Sequence, residues 1–362
     1  MKKLSISQLK TTVKHIAIRL NKPIIVRGGS GVGKSQGIEQ AVDELDSLQT
    51  LQELLGKNCP YTGTILAEIR LSQYDSVDLR GFPQADKKTG TATWYPPCTI
   101  PFIGNDAFPD DKIIVLFFDE APDAKPDVFA VMQQLVLNRC VGEHVLKPNV
   151  RIVLAGNRET DQALAKKFPM PLNNRLIHYE AVNTLEDFCV YAQSQGVPSV
   201  FIAFWNFCAN LVNTYDPKKT EAIVATNRTW FEAVELYRDK RLDPVIKEAS
   251  MIGAIGEGPA VQFLAYVDVW QKVPTVEKIL KDPAGFPVPA EEDLSIRWAT
   301  AMHVSDKMTL ENADDLYVYL KRFPAEFVVM AWGLATSRDA TLTDSDAYLD
   351  YCKRYREVYT SN

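Results

Sequence analysis

The stretch "IIVRGGSGVGKSQG", residues 24–37, decides the fold. Ile24–Val26 is a short, continuous apolar run, the pattern of a strand covered on both faces. Gly28, Gly29, Ser30, Gly31, Val32, Gly33, Lys34 and Ser35 then spell G-x-x-x-x-G-K-S. Glycines at this spacing let backbone N–H groups turn inward around a phosphate, beside the positive end of the helix that follows. Lys34 can reach the β- and γ-phosphates, and the Ser35 hydroxyl can ligate Mg²⁺. An ordinary glycine-rich turn requires no strand, helix, lysine and serine in this order. ATP and Mg²⁺ are therefore the expected cofactors.

Outward from this loop, the first half of the chain alternates strand-like and helix-like segments. From Ser35, "SQGIEQAVDELDSLQTLQELLG" has apolar residues at helical spacing and predicts one helix ending at Gly56. "TILAEIRLS" (64–72) alternates as a second strand, and "KIIVLFFDEA" (112–121) is the strongest buried-strand signal. "PDVFAVMQQLVLNR" (126–139) reads as a helix and "VRIVLAGN" (150–157) as another strand. The fold class is thus α/β, a parallel sheet sandwiched by helices. The opening "MKKLSISQLKTTVKHIAIRLNKP" reads as an amphipathic helix and not a signal peptide. After about residue 183 helical periodicity dominates, over 185–213, 228–240 and further segments, with breaks at "YDPKK", "LDPV" and "KDPAGFPVPAEED".

A second constellation sits behind the apolar run Ile113–Phe118. Asp119 and Glu120 end that run at the carboxyl end of a buried strand, where ligands of such sheets bind. Asp119 is the candidate for the Mg²⁺ shell, acting through water, and Glu120 the candidate that orients and polarises the attacking water. Asn157 ends "RIVLAGN", where an amide can hold the water between Glu120 and the γ-phosphate. Gly-Asn after a strand is also ordinary turn chemistry, and it is the combination that informs.

This order of motifs resembles an AAA+ ATPase, and more narrowly the MoxR-like branch with its phage- and bacteria-encoded relatives. The resemblance covers about the first 240 residues: Walker A at 28–35, Walker B at 115–120 and sensor 1 at Asn157. In "PMPLNNRLIHYE" Arg175 falls at the arginine-finger position. In "ATNRTWFEAVELY" Arg228 falls at sensor 2, with Thr226-Asn227-Arg228 in place of the usual Ser-Pro-Arg. Asp78-Leu79-Arg80-Gly81 matches the branch's Asp-Leu-x-Gly, inside "SVDLRGFPQADKKTGTATWYPPCTIPF" (76–102), where a hairpin insertion is implied. Trp94 there either lines a pore or faces a client, or else packs beneath the loop. "RCVGEHVLKPNVRIV" (139–153) corresponds to a further hairpin, with His144 solvated or hydrogen-bonded. The resemblance implies an ATPase core over 1–183, a helical lid over 184–245 and a helical C-terminal extension over 246–362. It also implies a homo-oligomer, a hexameric ring, in which Arg175 completes a neighbour's site; Arg228 acts in cis or in trans. The implied activity is chaperone-like remodelling of a protein client, such as one carrying a von Willebrand factor A domain.

Composition narrows the alternatives. With 46% hydrophobic and 24% charged residues the chain is ordinarily globular, and its net charge of −6 argues against holding a polyanion as its main task. A nucleic-acid motor or restriction-type NTPase is the second reading, and a nucleotide-gated scaffold with little turnover the third; Glu120 argues against the latter. Six cysteines without a Cys-x-x-Cys pair read as reduced, structural thiols. The most apolar late window, "VFIAFWNFCANLV" (200–212), is shorter than the roughly 18 residues that cross a bilayer, so a cytoplasmic protein without a membrane partner is expected. "GAIGEGPAVQFLAYVDVW" (253–270) and "FVVMAWGLA" (327–335) read as core helices.

Overall fold

The computed structural model describes residues 2–29, 31–88, 90–158, 168–215 and 223–355. The chain divides into two compact units, Met1–Thr184 and Leu185–Asn362.

The first unit opens on a short strand, β1 (Lys3–Leu4), that the sequence reading did not anticipate. Helix α1 (Ile6–Thr12) starts where Ser5 caps it: the Ser5 hydroxyl accepts from the Gln8 N–H (3.3 Å) and the Gln8 amide oxygen accepts from the Ser5 N–H (3.2 Å). It continues into wider π-type turns over Val13–Arg19. β2 (Ile24–Arg27) is buried throughout.

The single helix expected after Lys34 is instead two, α2 (Lys34–Asp43) and α3 (Leu48–Leu55). Ser47 restarts the chain, its hydroxyl accepting from the Thr50 N–H at 3.2 Å. A serine that caps competes with helical continuation, which apolar spacing alone does not reveal. Gly56, at φ 101°, ends α3 as expected.

β3 (Gly63–Arg70), α4 (Ser76–Arg80) and the antiparallel hairpin β4 (Phe82–Asp86) and β5 (Thr91–Tyr95) follow. Next come β6 (Lys112–Asp119), α5 (Pro126–Asn138) and a second small hairpin of β7 (Cys140–Val141) and β8 (His144–Val145). β9 (Val150–Gly156), α6 (Met170–Asn173) and β10 (Ile177–Ala181) complete the unit. β10 was also unanticipated, because "IHYEA" mixes polar and apolar residues.

The main sheet has six parallel strands in the order β1-β10-β2-β9-β6-β3. Alternate residues of its strands feed two cores, one on each face. Ile113, Val115 and Phe117 join Ile24, Val26, Ile38 and Val42, while Ile114, Leu116 and Phe118 join Ile25, Met132, Leu135 and Ile152. Burial on both faces is why β6 reads as an unbroken apolar run. From β2 the chain crosses toward β3, whereas from β9 it crosses the other way, toward β10. That reversal opens a crevice beyond the carboxyl ends of β2 and β9.

The second unit is helical: α7 (Leu185–Ser194), α8 (Ser199–Phe207), α9 (Asn227–Arg238), α10 (Pro244–Ile255), α11 (Glu257–Trp270), α12 (Val276–Ile279), α13 (Leu294–Lys307), α14 (Ala313–Leu320), α15 (Ala325–Arg338) and α16 (Asp346–Arg354). Pro198 at the start of α8 breaks the 185–213 stretch into two helices. Trp205, Trp230, Phe263, Trp332 and Tyr351 belong to one shared core, so residues on both sides of position 245 pack together. Phe263 in 253–270 and Trp332 in 327–335 are buried, as expected of core helices. No described helix is long and apolar enough to cross a membrane. All six cysteines are free.

Candidate functional site

The crevice is built from three neighbouring strand ends. β2 delivers Gly28, whose N–H donates to the Gly156 carbonyl at the end of β9 (3.2 Å). A Cβ on Gly28 would sit 2.7 Å from the Ala181 carbonyl oxygen, so the root of the loop is hemmed in by β9 and β10 together. Gly31 (φ 71°) and Gly33 (φ 94°) adopt the left-handed conformation that L-residues avoid, turning the loop into α2. Val32 tucks into the core below, and Ser30 lies outside the described residues.

Lys34 is 8% exposed. Its ammonium donates to the carbonyls of Gly28 (2.9 Å) and Gly29 (2.8 Å) and to the Asn157 amide oxygen at 3.4 Å. The lysine therefore touches the two residues that open its own loop and the residue that follows β9.

The Ser35 hydroxyl donates to Asp119 Oδ2 at 2.6 Å, while Asp119 Oδ1 accepts from the Glu120 N–H at 2.8 Å. A hydroxyl and a carboxylate converging next to a phosphate-sized cradle are hard oxygen donors of the kind Mg²⁺ takes with nucleotide phosphates. Among the described residues no group of three or more His, Cys, Asp or Glu gathers into a metal cage. A Mg²⁺ ion held by these two oxygens would need its remaining ligands from outside the protein, such as phosphate or water.

Glu120 has φ 52° and ψ 32°, a left-handed backbone unusual for a residue with a side chain. The Ser72 hydroxyl donates to Glu120 Oε2. Ser72 lies in the turn Leu71–Gln73, just past β3, whose Arg70 is paired with Asp119. Sequence reading missed Ser72: its hydroxyl meets Glu120 only once the β3–β6 register is known. Arg70 is another residue the motifs did not flag. Its guanidinium is held above its ordinary value first by the hydrogen bond to Glu68 (3.0 Å), with Asp119 and Glu120 adding to the effect.

Asn157 is set by contact at its predecessor, since a Cβ on Gly156 would lie 2.0 Å from Cδ of Pro122 in the turn after Glu120. Lys34, Ser35, Asp119, Glu120 and Asn157 are therefore brought together by the carboxyl ends of β2, β6 and β9.

Arg175 is elsewhere. It sits exposed in the turn before β10, and its side chain has no ion pair or hydrogen bond among the described residues. Ile177 pairs with Ile24, at the opposite end of β2 from Gly28. Four strand residues at about 3.3 Å each put that edge roughly 13 Å from the loop's root, beyond an arginine's reach. Arg228 belongs to the second unit, exposed in the first turn of α9. Thr226 caps that helix, its hydroxyl accepting from the Thr229 N–H at 3.3 Å and its own N–H donating to the Thr229 hydroxyl at 2.9 Å.

Trp94 does not pack beneath its loop: it is 41% exposed, beside Phe82 and Tyr95, which are more exposed still. His144 is neither solvated nor hydrogen-bonded at Nε2, which is buried without a partner among the described residues. The bridge between Phe102 and Leu146 brings the β7–β8 hairpin over the Phe102 ring, and the His144 ring lies 5.6 Å from it.

No family model and no curated protein matches the chain. Among solved structures it is similar to NtrX from Brucella abortus in complex with ADP, at 13% identity over 98% of this chain and 68% of that one, with a TM-score of 0.38. It is also similar to a putative ATPase from Cytophaga hutchinsonii, at 9% identity over 97% and 88%, with a TM-score of 0.32. A third likeness is to the closed state of Hsp104 with ATPγS and FITC casein, at 12% identity over 68% of this chain and 42% of that one, with a TM-score of 0.33. At such identities and scores these likenesses carry no functional argument. Strand order and motif placement within the chain do describe the fold: a parallel P-loop sheet sandwiched by helices, followed by a helical part.

Proposed function

We propose that the protein hydrolyses ATP as a MoxR-like AAA+ ATPase, assembled as a hexameric ring, and uses the cycle to remodel a protein partner such as one with a von Willebrand factor A domain. The observation that carries the hydrolysis reading is the convergence of Lys34, Ser35, Asp119, Glu120 and Asn157 at three adjacent strand ends. In this reading the loop from Gly28 to Gly33 wraps the phosphates with its N–H groups, and Lys34 exchanges its carbonyl partners for phosphate oxygens. Ser35, and Asp119 through water, would hold Mg²⁺, which would supply neutralisation of the charge on the phosphate oxygens. Glu120 takes up the proton of the attacking water while Asn157 fixes that water's position.

The remaining roles rest on the resemblance and on exposure. Arg175 has no ion-pair partner among the described residues and its own cradle cannot use it, which supports its service to a neighbouring copy. Arg228 is exposed at the start of α9 and is proposed as the sensor arginine of a lid spanning 184–245, with 246–362 as its extension. The exposed aromatics Phe82, Trp94 and Tyr95 support client contact on the β4–β5 hairpin.

Phosphate release from Mg-ATP tests the core of the proposal. Lys34→Ala is expected to lose nucleotide binding, and Glu120→Gln to keep binding while turnover falls at least about a hundredfold. Chelating Mg²⁺ should stop release in the native chain. Unchanged release from both variants would refute hydrolysis at this site. Capture with Glu120→Gln in ATP then asks what is held, and recovered DNA in place of protein would contradict the remodelling role.

A further inference from the structure

Arg158, the residue after Asn157, donates from Nη2 to Glu180 Oε1 on β10 at 2.8 Å. β9 and β10 are not neighbours, because β2 lies between them. Arg27, the last residue of β2, is paired with Gly156 on one side and Glu180 on the other. The ion pair therefore passes over the carboxyl end of β2, spanning two strand spacings of about 4.8 Å each. It crosses where Gly28 leaves the sheet, at the root of the phosphate loop.

We infer that Arg158 and Glu180 form a strap that positions Asn157 and fixes the root of that loop; its catalytic consequence rests on the hydrolysis reading above. Three observations define what the strap does. Asn157 is clamped from both sides, by the close approach of Gly156 to Pro122 and by the anchored head group of Arg158. Its amide oxygen lies 3.4 Å from Lys34 Nζ, so a small rotation of the backbone at 157 changes its aim at the cradle. Arg158 Nε is buried without a partner among the described residues, so Glu180 is the group that holds the guanidinium.

The two side chains are 34% and 16% exposed, so water and salt screen the pair less than a surface bridge. An amide that must aim a water tolerates displacement of only about 0.5 Å. The strap is thus a positioning device: neither residue needs to touch nucleotide, and both act through Asn157 and Gly28. Ordinary strand tying does not require it, because β2 is already hydrogen-bonded to β9 and β10 along its length.

The test uses the full chain and four forms: native, Glu180→Gln, Arg158→Gln, and the double reversal Arg158→Glu with Glu180→Arg. Steady-state phosphate release should show each single variant about tenfold or more lower in kcat, with KM for ATP within about twofold. The double reversal should recover a substantial part of the loss. Hydrogen–deuterium exchange of nucleotide-free protein gives a second readout independent of turnover: segments 24–29 and 150–158 should exchange faster in Glu180→Gln at unchanged far-UV circular dichroism. Native kcat in the single variants, a loss confined to KM, a double reversal no better than the singles, or unchanged exchange would each overturn the strap. If the native chain releases no phosphate the hydrolysis reading fails, and the exchange measurement still decides the strap.

Discussion

Glu120 and Gly156 show how the site is set by single backbone positions. Glu120 accepts a left-handed conformation of a kind that costs of order 1 kcal/mol or more, and such strain persists only where surroundings over-determine it. Asp119 Oδ1 on its N–H and Ser72 on its carboxylate are those surroundings. Gly156→Ala would drive a Cβ into the rigid Pro122 ring, pushing the end of β9 from the turn that follows Glu120. We expect a loss of about 1–3 kcal/mol in urea unfolding, with a disproportionate fall in phosphate release. The cysteines separate just as sharply. Burial pushes the Cys189 thiol up to about 12, with the Asn206 hydrogen bond pulling the other way, whereas Cys98 is exposed. Iodoacetamide at neutral pH should modify Cys98 readily and Cys189 only on unfolding, because the thiolate is the reactive form; equal labelling of the two in folded protein would contradict the burial. At this scale the sequence pointed to the glycine-rich loop, Asp119, Glu120 and Asn157, which the structure brings together, since each is tied to a strand end that its neighbours announce. It could not disclose Ser72, Arg158 or Glu180, whose partners lie 48, 22 and 22 positions away and meet them only through strand register.

Elements were legible in proportion to how evenly they are buried. β6 and β9 are covered on both faces and so read as continuous apolar runs. β10 carries the polar His178, Tyr179 and Glu180 in succession, and β1 is only two residues long, so neither rises above a loop in the sequence. The break between α2 and α3 was hidden because Leu48, Leu51 and Leu55 keep the spacing of the helix before them, and only the Ser47 cap marks the restart. Because β6 serves two cores, its adjacent phenylalanines should be independently costly. Phe117→Ala opens the core shared with α2, and Phe118→Ala the one shared with α5; each is expected to destabilise by about 3–5 kcal/mol. Equilibrium unfolding in urea checks this, and a cost below about 1 kcal/mol for either would mean that face is not packed as described.

For the whole molecule, the decisive question is whether one chain can complete its own site. The sheet separates Arg175 from Gly28 by the length of β2, so the arginine lies out of reach of the phosphate-loop lysine of its own chain. On the proposed reading a heterologous assembly would resolve this, because each copy would then offer its cradle on one side and its arginine on the other, and such contacts close into rings when the rotation allows. The expected behaviour is complementation between two dead variants. Arg175→Ala copies keep an intact cradle, and Lys34→Ala copies keep an intact arginine, so each alone should release phosphate at least about a hundredfold slower than native. Mixed before assembly, some interfaces pair the good cradle of the first with the good arginine of the second, and phosphate release should return to a measurable fraction of native. Analytical ultracentrifugation of the same mixtures reports whether both variants still assemble. Assembly without recovered turnover would remove Arg175 from the shared site, and full activity of Arg175→Ala alone would show that the cradle needs no charge from a neighbour.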